Sequence, residues 1–126
     1  MNRRTFAALA SALLLLSACV EDIGPDAEVC AAPTVEIEIA LSAEALEPND
    51  PAVCRDQDVT LIISPEVNAV FHIHGYDEEV PATEVRSGEV IELQFTASRS
   101  GQFPIELHPL DDPAGGDIGV FTVHEP

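Results

Sequence analysis

From Thr34 to Leu41 the chain alternates: Val35, Ile37, Ile39 and Leu41 are apolar, with Glu36, Glu38 and the small Ala40 between them. A period of two places all four apolar side chains on one face of an extended strand, so this stretch predicts a half-buried β-strand. The same reading gives strands over residues 59–64 and 68–76, separated at Pro65. A short strand over 83–86 turns at Ser87-Gly88, and Val90, Leu93 and Phe95 mark the next, which ends at Ser98-Arg99-Ser100-Gly101. Residues 102–108 and 118–124 complete the set, with the turn-rich stretch 109–117 between them. Residues 42–58 hold Pro48-Asn49-Asp50-Pro51 and read as a long loop with one helical turn at 43–46. About seven short strands, spaced by turn signals at roughly 8–12 residues, predict an all-β sandwich or small barrel.

The N-terminus follows a different pattern. Arg3 and Arg4 precede a run of 13 largely apolar residues, Phe6 to Ala18. That run is too short to span a hydrocarbon core of about 30 Å as a helix, but it suits the apolar region of an export signal. It closes on Leu16-Ser17-Ala18-Cys19, which resembles the bacterial lipobox. The resemblance implies cleavage before Cys19 and lipidation of that residue, hence a membrane anchor and a place in the cell envelope, on the periplasmic or extracytoplasmic side. Residues 1–18 are then a signal peptide and 19–33 an acidic, aperiodic tether with two prolines. Residues 34–126 are one domain, since the chain is too short for two independent cores. With Cys19 lipidated, Cys30 and Cys54 remain, and two cysteines in an oxidising compartment predict one disulfide.

Charge narrows the partners. The 126 residues carry 23 acids and five arginines, with no lysine. Two of the arginines lie in the signal, so three remain against all 23 acids, a mature net charge of −20. Such a field repels phosphate backbones and anionic headgroups, which excludes nucleic-acid binding and basic-patch membrane binding. It concentrates cations at the surface. An envelope protein partner, if one exists, is not identified by the sequence.

Candidate chemistry centres on Phe71-His72-Ile73-His74-Gly75-Tyr76-Asp77. On a strand, residues i and i+2 share a face with Cα atoms about 6.5–7 Å apart. His72 and His74 are thus expected to aim two imidazoles at one ion, with Phe71 and Ile73 facing the core. Imidazole suits Cu(II), Zn(II), iron and nickel. His108 ends the 102–108 strand beside the turn-rich loop and supplies a third candidate ligand, whereas His124 reads as a solvated residue near the C-terminus. Two exposed histidines on a sheet face also need no metal to explain them. GxSxG, HExxH, P-loop and GxGxxG motifs are absent from the sequence, and no catalytic residue is assigned.

Residues 59–123 resemble the cupredoxin fold. The Phe71–Asp77 stretch followed by Val80-Pro81 is similar to the strand that carries the first copper histidine of plastocyanin-like proteins, with His72 in that position. Ser87-Gly88-Glu89-Val90 with Leu93-Gln94-Phe95-Thr96-Ala97 resembles the GxxVxLxFTA strand. Gly101-Gln102-Phe103-Pro104-Ile105-Glu106-Leu107-His108 and Gly116-Asp117-Ile118-Gly119-Val120-Phe121-Thr122-Val123 resemble the last two strands, which flank the copper loop. The stretches also resemble, more closely than they do plastocyanin-like proteins, small bacterial exported cupredoxin-like proteins with HxHGYD and GxFPIExH. Against the blue-copper pattern, Leu107 stands where the ligand Cys would fall, Leu110 near the second His and Asp117 at the Met.

The resemblance therefore implies a cupredoxin-like Greek-key β-sandwich without a type 1 electron-transfer centre. Its possible copper or zinc site is His72, His74 and His108, with Tyr76 or Asp117 as helpers. Phe71-His72-Ile73-His74 also resembles the FHVH stretch of copper/zinc superoxide dismutases, but no histidine follows between His74 and His108 to bridge two metals. Three readings stand: a non-enzymatic metal-binding or metal-delivering module, a metal-free structural or interaction module, and a copper enzyme related to superoxide dismutase.

Overall fold

The computed structural model describes residues 27–112 and 114–126. The segments expected from the sequence to be a signal peptide (1–18), a lipidation site (Cys19) and the first part of a tether lie outside the described residues.

The alternation at Thr34–Leu41 becomes strand β1 with the expected bounds, its inward residues Ile39 and Leu41 buried. Eight further strands follow: β2 (Leu46–Glu47), β3 (Ala52–Cys54), β4 (Asp58–Pro65), β5 (Ala69–Ile73), β6 (Thr83–Val85), β7 (Ile91–Thr96), β8 (Gly101–Pro109) and β9 (Gly116–His124). Nine strands replace the expected seven because the 42–58 stretch is not a plain loop. Its proposed helical turn is instead a tight turn in which the Ser42 hydroxyl accepts from the Ala45 amide at 3.1 Å. Local hydroxyl-to-backbone bonds of this kind offer the chain an alternative to helix. β2 and β3 are only two and three residues long, too short for a period of two to show.

Two sheets result, ordered β2-β1-β4-β7 and β3-β9-β8-β5-β6. β1 and β4 run parallel over eight registered pairs, and β3 runs parallel to β9. The chain therefore leaves one sheet after β2, adds β3 to the other, and returns for β4. The inner faces meet in a single core that includes Ile39, Leu61, Ile63, Phe71, Ile73, Tyr76, Ile105, Leu107 and Phe121, all essentially inaccessible. Each such aliphatic or aromatic side chain contributes about 1.5–3 kcal/mol by leaving water.

The last residues of the stretch expected to be a tether are structured. Residues Ala27–Ala31 form a short helix, α1, and Cys30 is bonded to Cys54 as expected, with Cα atoms 5.3 Å apart. Gln57, 2% exposed, is the one buried polar side chain among the described residues. Its amide donates to the carbonyls of Val29 and Ala32 at 2.7 and 2.8 Å, and its oxygen accepts from the Cys54 amide at 2.8 Å. Every strong group of that amide is thereby paired, which makes its burial affordable.

Candidate metal centre

β5 and β8 lie side by side, and their register decides which polar side chains meet. Phe71 pairs with Leu107 and Ile73 with Ile105, all four pointing into the core. The residues between them face outward: His72 stands opposite Glu106, and Val70 opposite His108. His72, Glu106 and His108 thus form a group on the outer face of the five-stranded sheet. One ligand atom from each lies within 4.8 Å of the others. His72 Nδ1 is 3.3 Å from Glu106 Oε2, and His108 Nε2 is 3.4 Å from the same oxygen. Bonds of about 2.0–2.1 Å to a tetrahedral ion separate neighbouring donors by roughly 3.3–3.4 Å, so these two edges already have the span that a metal requires.

The carboxylate was the residue missing from the sequence-based set. The i, i+2 rule applied backwards from His108 selects Glu106, just as it pairs His72 with His74. His74 itself lies one residue past the end of β5, in a turn, with its amide bonded to the Pro104 carbonyl at 2.8 Å. Its Nδ1 approaches the other oxygen of Glu106 at 3.4 Å, and its side chain is 64% exposed. The ligand group is thus joined across strands by His72 and His108, while His74 keeps its ring 5.8 Å from that of His72, centroid to centroid, and approaches Glu106 from the margin.

The proposed helpers are placed elsewhere. Tyr76 is wholly buried, edge-on to Phe95, Phe103 and Phe121, and its hydroxyl meets the Arg99 backbone amide at 3.2 Å. A phenol held in the core cannot reach an ion on the outer face. Asp117 is opposite Glu106 in the β8–β9 register but outside the ligand group. A bulge at this point gives β9 an extra residue, Ile118, which packs against the core. His124 pairs with Cys54 at the far end of β9.

Electrostatics knit the group together. Asp77 bonds to Nε2 of His72 while Glu106 meets Nδ1, so both ring nitrogens face carboxylates. The bond from Asp77, and secondarily that from Glu106, raises the His72 pKa above the ordinary imidazole value against the opposing effect of partial burial. Asp77 and Glu106 are both held below the usual carboxylate range, chiefly by their bonds to His72. With a proton on Nε2 for Asp77, the Nδ1 lone pair would point at an anionic oxygen. The geometry calls for a cation between them, either a proton or a metal ion.

The loop before β9 closes on His108. Gly115 has φ +50°, and a Cβ there would strike His108 Nδ1 and come within 2.8 Å of the Leu107 carbonyl. The loop thus backs one side of the ring. Gly115→Ala is expected to displace His108, weaken metal binding by about tenfold or more and lower stability by roughly 1–3 kcal/mol. Urea unfolding and metal titration of the same variant would check both effects.

Solved structures give the frame. The chain is similar to a multicopper oxidase from Pseudomonas thermotolerans, with TM-score 0.55 and 16% identity over 73% of this chain and 30% of that one. It is also similar to a laccase from B. aclada, with TM-score 0.60 and 12% identity over 74% and 23% of the respective chains. For a blue copper oxidase from Nitrosomonas europaea the values are 0.57, 14%, 73% and 39%. The fold is cupredoxin-like. The chain spans well under half the length of these oxidases, so the likeness covers a domain-sized portion of each. No family model and no curated protein matches the sequence.

A type 1 copper centre does not fit this cupredoxin-like chain. Leu107, at the position of the thiolate in the cupredoxin resemblance, points into the core with 1% exposure, and both cysteines among the described residues are joined in the disulfide. The donors on the outer face are nitrogen and carboxylate oxygen, which favour Cu(II) or Zn(II) over Cu(I).

Proposed function

We propose that the chain is a lipid-anchored, extracytoplasmic cupredoxin-like module that binds one divalent ion, Cu(II) or Zn(II), through His72, His108 and Glu106. Its role is to capture, buffer or hand over that ion rather than to catalyse a reaction or transfer electrons. The observation that carries this reading is the convergence of three donor atoms from adjacent strands within 4.8 Å. The likeness of the fold to that of copper oxidases adds support. So do the lipobox-like Cys19 and an acidic surface that gathers cations.

A metal-free interaction module is the second reading. It is favoured by the ion pairs of His72 with Asp77 and Glu106, which balance the group's charge without a metal.

Calorimetric titration of the full chain in detergent micelles with Cu(II) and Zn(II) separates the two. Binding of one ion, weakened at least about 100-fold by His72→Ala/His108→Ala, is the expected result, with a copper EPR spectrum of nitrogen and oxygen ligands and no thiolate. Equal binding by the double variant would favour the metal-free module.

A further inference from the structure

We infer that Asp77 is the positioning residue of this centre: it holds His72 in the Nε2–H tautomer, so that Nδ1 presents its lone pair to the ion beside Glu106 and His108. The inference rests on the metal-binding reading and adds to it the residue that decides which ring nitrogen coordinates.

Three observations lead to Asp77. Its carboxylate bonds to Nε2 of His72, on the side of the ring away from the ligand group, while Nδ1 lies 3.3 Å from Glu106. A neutral imidazole carries one N–H, and a carboxylate can only accept, so the proton belongs on the nitrogen facing Asp77 once an ion occupies the other side. Metal-bound histidines commonly give their second N–H to a carboxylate, which fixes the tautomer and strengthens the ligand.

The arm that carries Asp77 is also built to hold it there. Gly75 has φ +80°, a left-handed conformation that turns the chain back over His72. Next to it, Tyr76 is anchored in the core, its amide bonded to Ile73 O at 3.0 Å and its carbonyl accepting from Val80 N at 2.9 Å. Arg99 fastens the outer side, donating to the Gly75 carbonyl at 2.5 Å and pairing with Glu79 at 3.3 Å. Its guanidinium lies 5.0 Å from the Tyr76 ring centroid, within cation–π range. Asp77 therefore sits between a buried Tyr and a clamped turn, although it is itself 58% exposed. The buried Tyr76, which coordinates nothing, acts through the backbone by setting where its neighbour points.

The test uses Asp77→Asn, with Glu78→Gln as a control on the same turn. Nitrogen-15 NMR of the metal-free full chain in micelles, at a pH where imidazole is neutral, reads the His72 tautomer directly. Zinc titration then reads affinity. The expected result is Nε2–H in the wild type and a mixture in Asp77→Asn, because an amide can donate as well as accept. Zinc affinity should fall by about 10–100-fold with one site retained, and Glu78→Gln should match the wild type in both readings. Thermal melting confirms that each variant is folded, and Asp77→Glu, which retains the carboxylate, should recover part of the affinity. If the wild type binds zinc and Asp77→Asn binds it equally well, or if the His72 tautomer is unchanged, the positioning role is overturned and the metal centre survives. If the wild type binds no zinc, both fall together.

Discussion

Glu106→Gln is expected to reduce divalent-metal affinity by at least about 100-fold, a larger loss than the 10–100-fold typical of an outer partner such as Asp77. The two oxygens of Glu106 meet three imidazoles: His72 and His108 at one oxygen, His74 at the other. Glutamine keeps the shape but removes the only negative donor of the ligand group, and its N–H₂ has no lone pair to offer an ion. The same variant should reshape the pH dependence of stability. Glu106 is held below its ordinary pKa by bonds to His72 and then His108. Its contribution is therefore present above the ordinary carboxylate value and lost as pH falls through the lowered one; Glu106→Gln flattens that acid limb.

His72 has the opposite sign. Its pKa is raised, first by Asp77, so its contribution is complete below the ordinary imidazole value and fades as pH rises through the raised one. With Asp77 still in place, this alkaline limb should persist in Glu106→Gln. Metal titration and urea unfolding from acid to mildly alkaline pH measure both. Unaltered affinity would show that the carboxylate is not a ligand.

The largest effect on stability is expected from Cys30→Ala/Cys54→Ala. The bond closes a loop with a sequence separation of 24, for which chain entropy predicts about 3 kcal/mol. In a domain of this size that corresponds to a fall in melting temperature of roughly 10–25 °C. Alanine is preferred to serine because Cys54 is fully buried and a hydroxyl there would lack a partner. The bond joins α1 to the short strand β3, whose ladder to β9 has only three registered pairs. Gln57 bridges the same two segments through three hydrogen bonds. A fall of only a few degrees would show that those bonds hold the N-terminal turn without the disulfide.

Legibility in the sequence varied with the range of the interaction concerned. β1 was readable to the residue because one face is buried and the other meets water, and β5 was readable enough to point His72 outward. β2 and β3 were not, because strands of two or three residues exist only through what they pair with. The turn at Gly75 was the costliest local miss. A strand extended through residue 76 puts Tyr76 on the face of His72 and His74. The chain instead leaves the sheet after Ile73, sends Tyr76 into the core and brings Asp77 back over the His72 ring. Burying a large aromatic side chain outweighed the period of two.

By itself, the sequence determined the all-β class, the position of most strands, the outward aim of His72, the pairing of Cys30 with Cys54 and the leucine at position 107, where the resemblance expects the type 1 thiolate. These depend on periodicity along one strand, on residue type, or on the two cysteines that remain once Cys19 is set aside as the expected lipidation site. Only the tertiary structure decided that Glu106 completes a group with His72 and His108, that His74 stands at its margin and that Asp77 supports it. Alternation states which face a side chain occupies, but not which strand lies alongside or in what register. The β5–β8 register, set by core packing of Phe71 on Leu107 and Ile73 on Ile105, brings the three donors together.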